Sequence, residues 1–91
     1  MTKQEVNTKL ANFFKEARKD CIQKIRNDVT ASKDLYQDGW LDSLLSVGLI
    51  QFMEKEFSVK FSPFDFTKKN FINIDALSNL VQKNINGWKF I

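Results

Sequence analysis

The chain has 91 residues, of which 43% are hydrophobic and 27% charged, and its formal net charge is +3. This length suits one small domain with a packed core, so we expect a single domain over residues 1–91. The sequence has no histidine and one cysteine. It therefore cannot form an internal disulfide, the usual zinc ligand sets, or a Ser-His-Asp or Cys-His nucleophile.

The distribution of charge and hydropathy narrows the class of protein further. Lysines alternate with carboxylates along the whole chain, and the densest pair, Lys68-Lys69, is too short for a basic arm, so we expect no nucleic-acid partner. No apolar run approaches the roughly 20 residues of a membrane span, so we expect no transmembrane segment. The polar stretch Met1 to Leu10 lacks a signal-peptide core, which together with the single cysteine favours a cytoplasmic location.

The first predicted helix runs from about Lys3 to Asn27. Thr2 and Glu5 have the spacing of a capping box at its start. Apolar residues then recur at steps of three and four, which is the helical pattern: Val6, Leu10, Phe13, Phe14, Ala17, Cys21, Ile22 and Ile25. Because Cys21 lies on this stripe, we expect its thiol to be packed and inert.

The middle of the chain predicts a loop and a second helix. Over residues 28–39 the sequence is mostly polar, and we expect Leu35 and Tyr36 to tuck under the fold and Gly39 to turn the chain with a positive φ. The second helix is expected to begin at Asp42 or Ser43 and to run to about Phe57. Its core face is predicted to carry Leu49, Ile50, Met53 and Phe57.

Two further helices complete the predicted fold. A short one is expected over Phe64–Asn70, with Ser62 as its cap and Pro63 at its first position. The last is capped by Asn73 or Asp75, carries an apolar stripe and stops at Asn86-Gly87, and the apolar tail 87–91 is expected to fold back on the body. The stripe contains Ala76, Leu77, Leu80, Val81 and Ile85. These patterns predict an all-α, small four-helix bundle with three longer helices and one short one.

The most informative segment is Gly39-Trp40-Leu41-Asp42-Ser43-Leu44. A glycine turn followed by an Asp-Ser pair and an apolar helix places the Ser43 hydroxyl at a helix N-terminus. The unpaired N–H groups and the helix dipole favour negative charge there, so a phosphate ester on Ser43 would be well placed. The alternative is that Asp42 and Ser43 only cap the helix, which is the commonest use of these residues. Ser43 has no catalytic base near it in sequence and is therefore better interpreted as a substrate of another enzyme than as a nucleophile.

The same segment resembles the acyl carrier protein family. The resemblance covers about Asp34 to Lys83 and is carried by Asp34-Leu35-Tyr36, the run 39–44, Val47, Leu49 and Phe57-Ser58-Val59. Within the family, the run Asp34–Ser43 is most similar to the D-alanyl carrier proteins of teichoic acid modification. The later spacing of Phe66, Lys68-Lys69 and Phe71 is similar to that branch as well.

The resemblance implies a carrier rather than an enzyme. Ser43 would hold a 4′-phosphopantetheine arm, attached by a phosphopantetheinyl transferase that uses coenzyme A and magnesium, and Asp42 would help to present both. The thiol of the arm would hold an acyl or aminoacyl group as a thioester, in fatty-acid or D-alanyl metabolism. The implied partners are that transferase, an acyl- or aminoacyl-activating ligase and a downstream acyltransferase or synthase, and we expect a monomer.

Leu44, Leu45 and Val47 are next to Ser43 in sequence and are our candidates for partner docking, although one or two of them could instead belong to the core. Acidic carriers have carboxylates at the positions of Leu45, Gly48 and Phe52, so we expect docking here to rest on apolar contacts. The competing hypothesis is an electrostatic interface through Glu54 and Glu56. A second function of a different class also stays open, namely a helical interaction module of the same fold without a functional arm.

Overall fold

The computed structural model describes the backbone of residues 1–88 and the side chains of residues 1–85. Within this part of the chain there is no strand, which confirms the all-α prediction. The α-helices are α1 (Lys3–Ala17), α2 (Leu35–Asp38), α3 (Ser43–Phe57) and α4 (Ile74–Trp88). Short 3₁₀ helices lie in the connections, at Ile22–Lys24, Pro63–Asp65 and Lys68–Phe71. α1, α3 and α4 have 15 residues each, as expected for the three longer helices.

α1 begins as predicted but ends ten residues earlier than its predicted limit at Asn27. The Thr2 hydroxyl accepts the N–H of Glu5 at 3.2 Å, and the Glu5 carboxylate accepts the N–H of Thr2 at 3.3 Å, so the capping box is confirmed. The apolar stripe beyond α1 is packed only in part, because Cys21 and Ile22 are exposed whereas Ile25 packs against the core. Cys21 is exposed, so the expectation that its thiol would be packed is wrong, and Ala17 on the same stripe is exposed as well.

The segment between α1 and α3 is held by polar contacts around the short helix α2. The Asp34 carboxylate accepts the N–H groups of Tyr36 and Gln37, at 3.0 and 3.1 Å, and so caps α2. Leu35 is fully buried, and its N–H donates to the carbonyl of Ile72 at 2.7 Å. Gly39 follows with φ of 94°, which confirms the predicted left-handed turn.

The three long helices share one hydrophobic core. Its predicted members on α3, Leu49, Met53 and Phe57, are buried in the same cluster as residues from α1 and α4. Those partners include Val6, Leu10, Phe14, Leu77, Leu80 and Val81. The prediction of the α3 core face is confirmed, with Ile50 partly buried at its edge.

The region expected to form a short helix over Phe64–Asn70 forms two 3₁₀ helices instead. Ser62 caps the first as predicted: its hydroxyl accepts the N–H of Phe64 at 3.1 Å, and the Asp65 carboxylate accepts the N–H of Ser62 at 2.9 Å. Thr67 then caps a second turn by accepting the N–H of Asn70. Two consecutive caps close two separate turns, so no continuous α-helix can run through this segment.

Asn73 caps α4, as one of the two predicted alternatives, because its side-chain oxygen accepts the N–H of Ala76 at 2.7 Å. The helix continues to Trp88 rather than stopping at Asn86-Gly87. Residues 89–91 and the side chains of residues 86–88 are outside the described part of the chain, and the expected packing of the tail 87–91 falls there.

Candidate functional site

Ser43 is the first residue of α3, and its side chain is exposed. Asp42 precedes it with an extended backbone, φ −140° and ψ 179°. One Asp42 carboxylate oxygen, Oδ1, accepts the N–H of Leu45 at 2.8 Å, which is N-cap geometry. The predicted helix start and the predicted capping role of Asp42 are therefore confirmed.

The second oxygen of the Asp42 carboxylate, Oδ2, is bound by Arg18, the residue that directly follows α1. The guanidinium Nη2 of Arg18 lies 3.1 Å from Asp42 Oδ2. The Leu45 N–H and the Arg18 guanidinium together hold the pKa of the Asp42 carboxyl below its ordinary value of 3.8. Asp42 is thus an ionised, doubly bound cap immediately before the serine.

The two residues before Asp42 are anchored as firmly. Trp40 is 1% exposed, and its indole N–H donates to the carbonyl of Asn27 at 2.8 Å. The backbone N–H groups of Trp40 and Leu41 both donate to the carbonyl of Leu35, at 2.9 and 3.1 Å. The peptide that leads into Ser43 is therefore held on the body of the fold rather than standing free as a loop.

The three docking candidates differ in their surroundings. Leu44 is 84% exposed and Val47 is 57% exposed, so two large apolar side chains face solvent within one turn of Ser43. Leu45 is partly buried and packs against the core. The exposure of Leu44 and Val47 leaves them accessible to a partner, whereas Leu45 contributes mainly to packing.

A groove of about 500 Å³ opens beside Ser43. α3 contributes Ser43, Ser46 and Ile50 to it, and the opposite wall comes from α2 and the 3₁₀ segment: Tyr36, Phe66, Thr67, Lys68 and Phe71. The Lys68 ammonium is 3.8 Å from an oxygen of Asp34 and 5.9 Å from the centre of the Tyr36 ring. The groove thus combines an apolar lining with one cation.

Sequence reasoning did not identify Arg18, Tyr36 or Lys68 as members of the site. Helical periodicity relates residues on one element only, and Arg18 and Asp42 are 24 positions apart on different helices. The sequence did offer one signal for Tyr36, which is an aromatic residue in a mostly polar loop.

The residue types around Ser43 also bear on metal binding and catalysis. Over the described residues, no three His, Cys, Asp or Glu side chains lie close enough together to hold a metal ion. The nearest carboxylate in sequence, Asp42, has both oxygens bound to Leu45 and Arg18. Asp42 therefore serves the helix start rather than the Ser43 hydroxyl.

Comparison with known proteins adds no assignment. No protein-family model matches the chain, and neither the curated proteins nor the solved structures include a significant match. None of the helices within residues 1–88 combines the length and apolar character needed to cross a membrane. The functional conclusion therefore rests on the site itself.

Proposed function

We propose that this chain is an acyl or aminoacyl carrier protein with a bundle of the acyl-carrier type, and that Ser43 is the attachment site of a 4′-phosphopantetheine arm. The observation that carries the proposal is the exposed Ser43 hydroxyl at the first position of α3, behind a doubly bound Asp42. A capping role does not account for Ser43, because Asp42 already serves as the cap.

The electrostatics of the helix start suit a phosphodiester on Ser43. The N-terminus of α3 carries the positive end of the helix dipole, which stabilises an anion near its first turn. Lys68 adds a positive charge to the lining of the adjacent groove, while Ile50 and Phe66 offer apolar surface to the arm. The residues around Ser43 therefore fit both the charged and the apolar parts of such a group.

In the attachment reaction, the Ser43 oxygen would lose its proton and form a bond to the phosphorus of the pantetheine phosphate in coenzyme A, and the adenosine bisphosphate would leave. The base and the magnesium would come from the transferase. Once attached, the arm supplies a thiol that holds the cargo as a thioester. A tethered thiol reaches roughly millimolar effective concentration at a docked active site, so the carrier needs a firm base and no catalytic groups.

The partners we propose are a phosphopantetheinyl transferase, an acyl- or aminoacyl-activating ligase and a downstream acyltransferase or synthase. Leu44 and Val47 offer them an apolar contact surface next to Ser43, at 84% and 57% exposure. We also propose a cytoplasmic location, because a single cysteine suits a reducing compartment.

Intact-mass measurement after co-expression with a promiscuous phosphopantetheinyl transferase tests the assignment. The wild-type chain should gain about 340 Da, the mass of an arm that also adds phosphate charge, and Ser43→Ala should abolish the gain. Ser46→Ala is the matched control, because Ser46 lies one turn further along α3 and also lines the groove. Its hydroxyl donates to the carbonyl of Asp42, and its replacement should leave the mass gain intact.

A mass gain that survives in Ser43→Ala would contradict the assignment of the serine. No gain in the wild-type chain, with the transferase active on a control carrier, would reject the carrier function. The exposed apolar side chains Leu44, Val47 and Phe64 would then support the second candidate, an interaction module of the same fold without an arm.

A further inference from the structure

Arg18 contacts the residues on either side of Leu41, in the peptide that leads into the candidate attachment site. Its Nε donates to the carbonyl of Trp40 at 3.2 Å, and its Nη2 lies 3.1 Å from the Asp42 carboxylate. The two acceptors are two residues apart in sequence, with the buried Leu41 between them. One side chain therefore spans the whole peptide that leads into Ser43.

The base of this contact is rigid. Arg18 follows directly on α1 and lies one turn beyond Phe14, which is fully buried in the core. The Arg18 side chain itself is only 22% exposed, although Asp42 is 58% exposed. A guanidinium is planar and presents its donors in a fixed arrangement, so binding two acceptors at once fixes their relative orientation.

We infer that Arg18 is a positioning residue, which presents Ser43 to the modifying enzyme by fixing the peptide from Trp40 to Asp42 onto α1. This inference rests on the proposed function. It assigns to Arg18 no contact with the arm or with coenzyme A. Its effect passes through Asp42 and the backbone at the start of α3.

The expected change in kinetics depends on whether the peptide from Trp40 to Asp42 is ordered before docking or only during it. With Arg18 present, the peptide is ordered in the free protein. Without it, the same ordering must take place on docking, which weakens binding of substrate and transition state alike. The KM for the carrier should therefore rise by about tenfold, while kcat stays within about twofold of the wild type.

The test compares Arg18→Gln with Lys19→Gln, measured with a phosphopantetheinyl transferase and coenzyme A at saturating magnesium. Lys19 is the matched control, because it is the next residue, carries the same charge and forms an exposed ion pair with Glu16 at 3.0 Å. Its replacement should leave KM unchanged. Arg18→Lys keeps the charge but cannot bridge two fixed acceptors, so its KM should fall between those of the wild type and Arg18→Gln.

A second measurement needs no modification reaction. Amide ¹⁵N relaxation of the unmodified protein should show faster internal motion at Leu41, Asp42 and Ser43 in Arg18→Gln than in Lys19→Gln. Circular dichroism then verifies that both variants keep the helical content of the wild type. If Arg18→Gln does not fold, Arg18→Lys provides the same comparison.

The outcomes separate the two proposals. A wild-type chain that is never modified rejects the carrier function, and the relaxation data still decide whether Arg18 fixes the peptide. A modified wild type with unchanged KM in Arg18→Gln rejects Arg18 as a positioning residue. A loss confined to kcat would also overturn the inference, because it would place the effect of Arg18 on the chemical step.

Discussion

α3 and α4 begin with the same kind of cap, but their first helical residues differ in exposure. In both, an Asx side-chain oxygen accepts the N–H three residues further on, at 2.8 Å for Asp42 and 2.7 Å for Asn73. The first helical residue is the exposed Ser43 in α3 but the buried Ile74, 5% exposed, in α4. The same cap therefore precedes an exposed residue in one helix and a buried residue in the other.

The two helices also differ in the polarity and burial of the residue four positions after their first residue. Val47 of α3 is apolar and 57% exposed, whereas Ser78 of α4 is polar and fully buried, and its hydroxyl has no hydrogen-bond partner among the described residues. If burial of apolar side chains alone decided, Val47 would be buried and Ser78 would be exposed. α4 is thus built into the core from its first residue, while the first turn of α3 keeps apolar surface outside, where it can serve binding.

The largest expected effect separates the core face of α3 from its exposed face. Leu49 is fully buried and Leu44 is 84% exposed. The same Leu→Ala substitution can therefore be compared at a buried and at an exposed position of one helix. Leu49→Ala should lower the free energy of unfolding by about 2–5 kcal/mol, and Leu44→Ala should change it by less than about 0.5 kcal/mol. Urea unfolding followed by circular dichroism measures both. Equal losses would mean that the two faces do not differ as described.

The next effect concerns recognition by the proposed ligase. Val47→Asp should reduce the loading rate by about tenfold or more, because docking would bury an unpaired charge. Loading of the wild type should depend only mildly on salt, since salt screens exposed ion pairs over a Debye length of about 8 Å but does not weaken apolar burial. Initial rates at low and high salt measure both. A steep salt dependence with Val47→Asp near normal would favour the interface through Glu54 and Glu56.

The smallest effect compares the two caps. Asp42→Ala and Asn73→Ala should each lower the free energy of unfolding by about 1 kcal/mol, but only Asp42→Ala should also slow attachment at Ser43. Thermal unfolding and the intact-mass time course measure the two quantities. Equal slowing by Asn73→Ala would remove the functional distinction between the two helix starts.

The dependence of stability on pH tests the Asp42 cap separately from the Asn73 cap. The pKa of Asp42 is lowered in the fold by the Leu45 N–H and by Arg18, so its carboxylate stabilises the folded state above pH 3.8 and loses that contribution as the pH falls through the lowered pKa. Asp42→Asn should therefore lose less stability on acidification than the wild type. Glu5, Asp28 and Asp38 also have lowered pKa values and will keep part of the dependence. An identical acid profile would show that Asp42 is not ionised in this way.

The start of α3 could be predicted from sequence because every signal there is local. Gly39 permits the left-handed turn, and Asp42 lies three residues before the N–H it caps. The position of Ser43 at the start of α3 follows from these two features. The resemblance to acyl carriers includes this segment, and the function that it implies stays a prediction.

The rest depended on contacts that sequence spacing does not report. Helical periodicity continues through Cys21 and Ile22, but α1 ends at Ala17, and these two side chains are exposed. Ser62 and Pro63 predicted one short helix over Phe64–Asn70, whereas the Asp65 and Thr67 side chains close two separate turns. The link from Arg18 to Asp42 joins two elements across the fold, and no local pattern indicates it.

Trp40 gives the peptide before Ser43 an optical reporter. Its indole is 1% exposed and donates a hydrogen bond to Asn27, so its fluorescence arises from an apolar, immobilised ring. The chain has two tryptophans, and Trp88→Phe would leave Trp40 as the sole emitter. Any event that loosens this peptide would then shift the emission to longer wavelength and lower its anisotropy. The state of the candidate site can therefore be followed in real time without an attached dye.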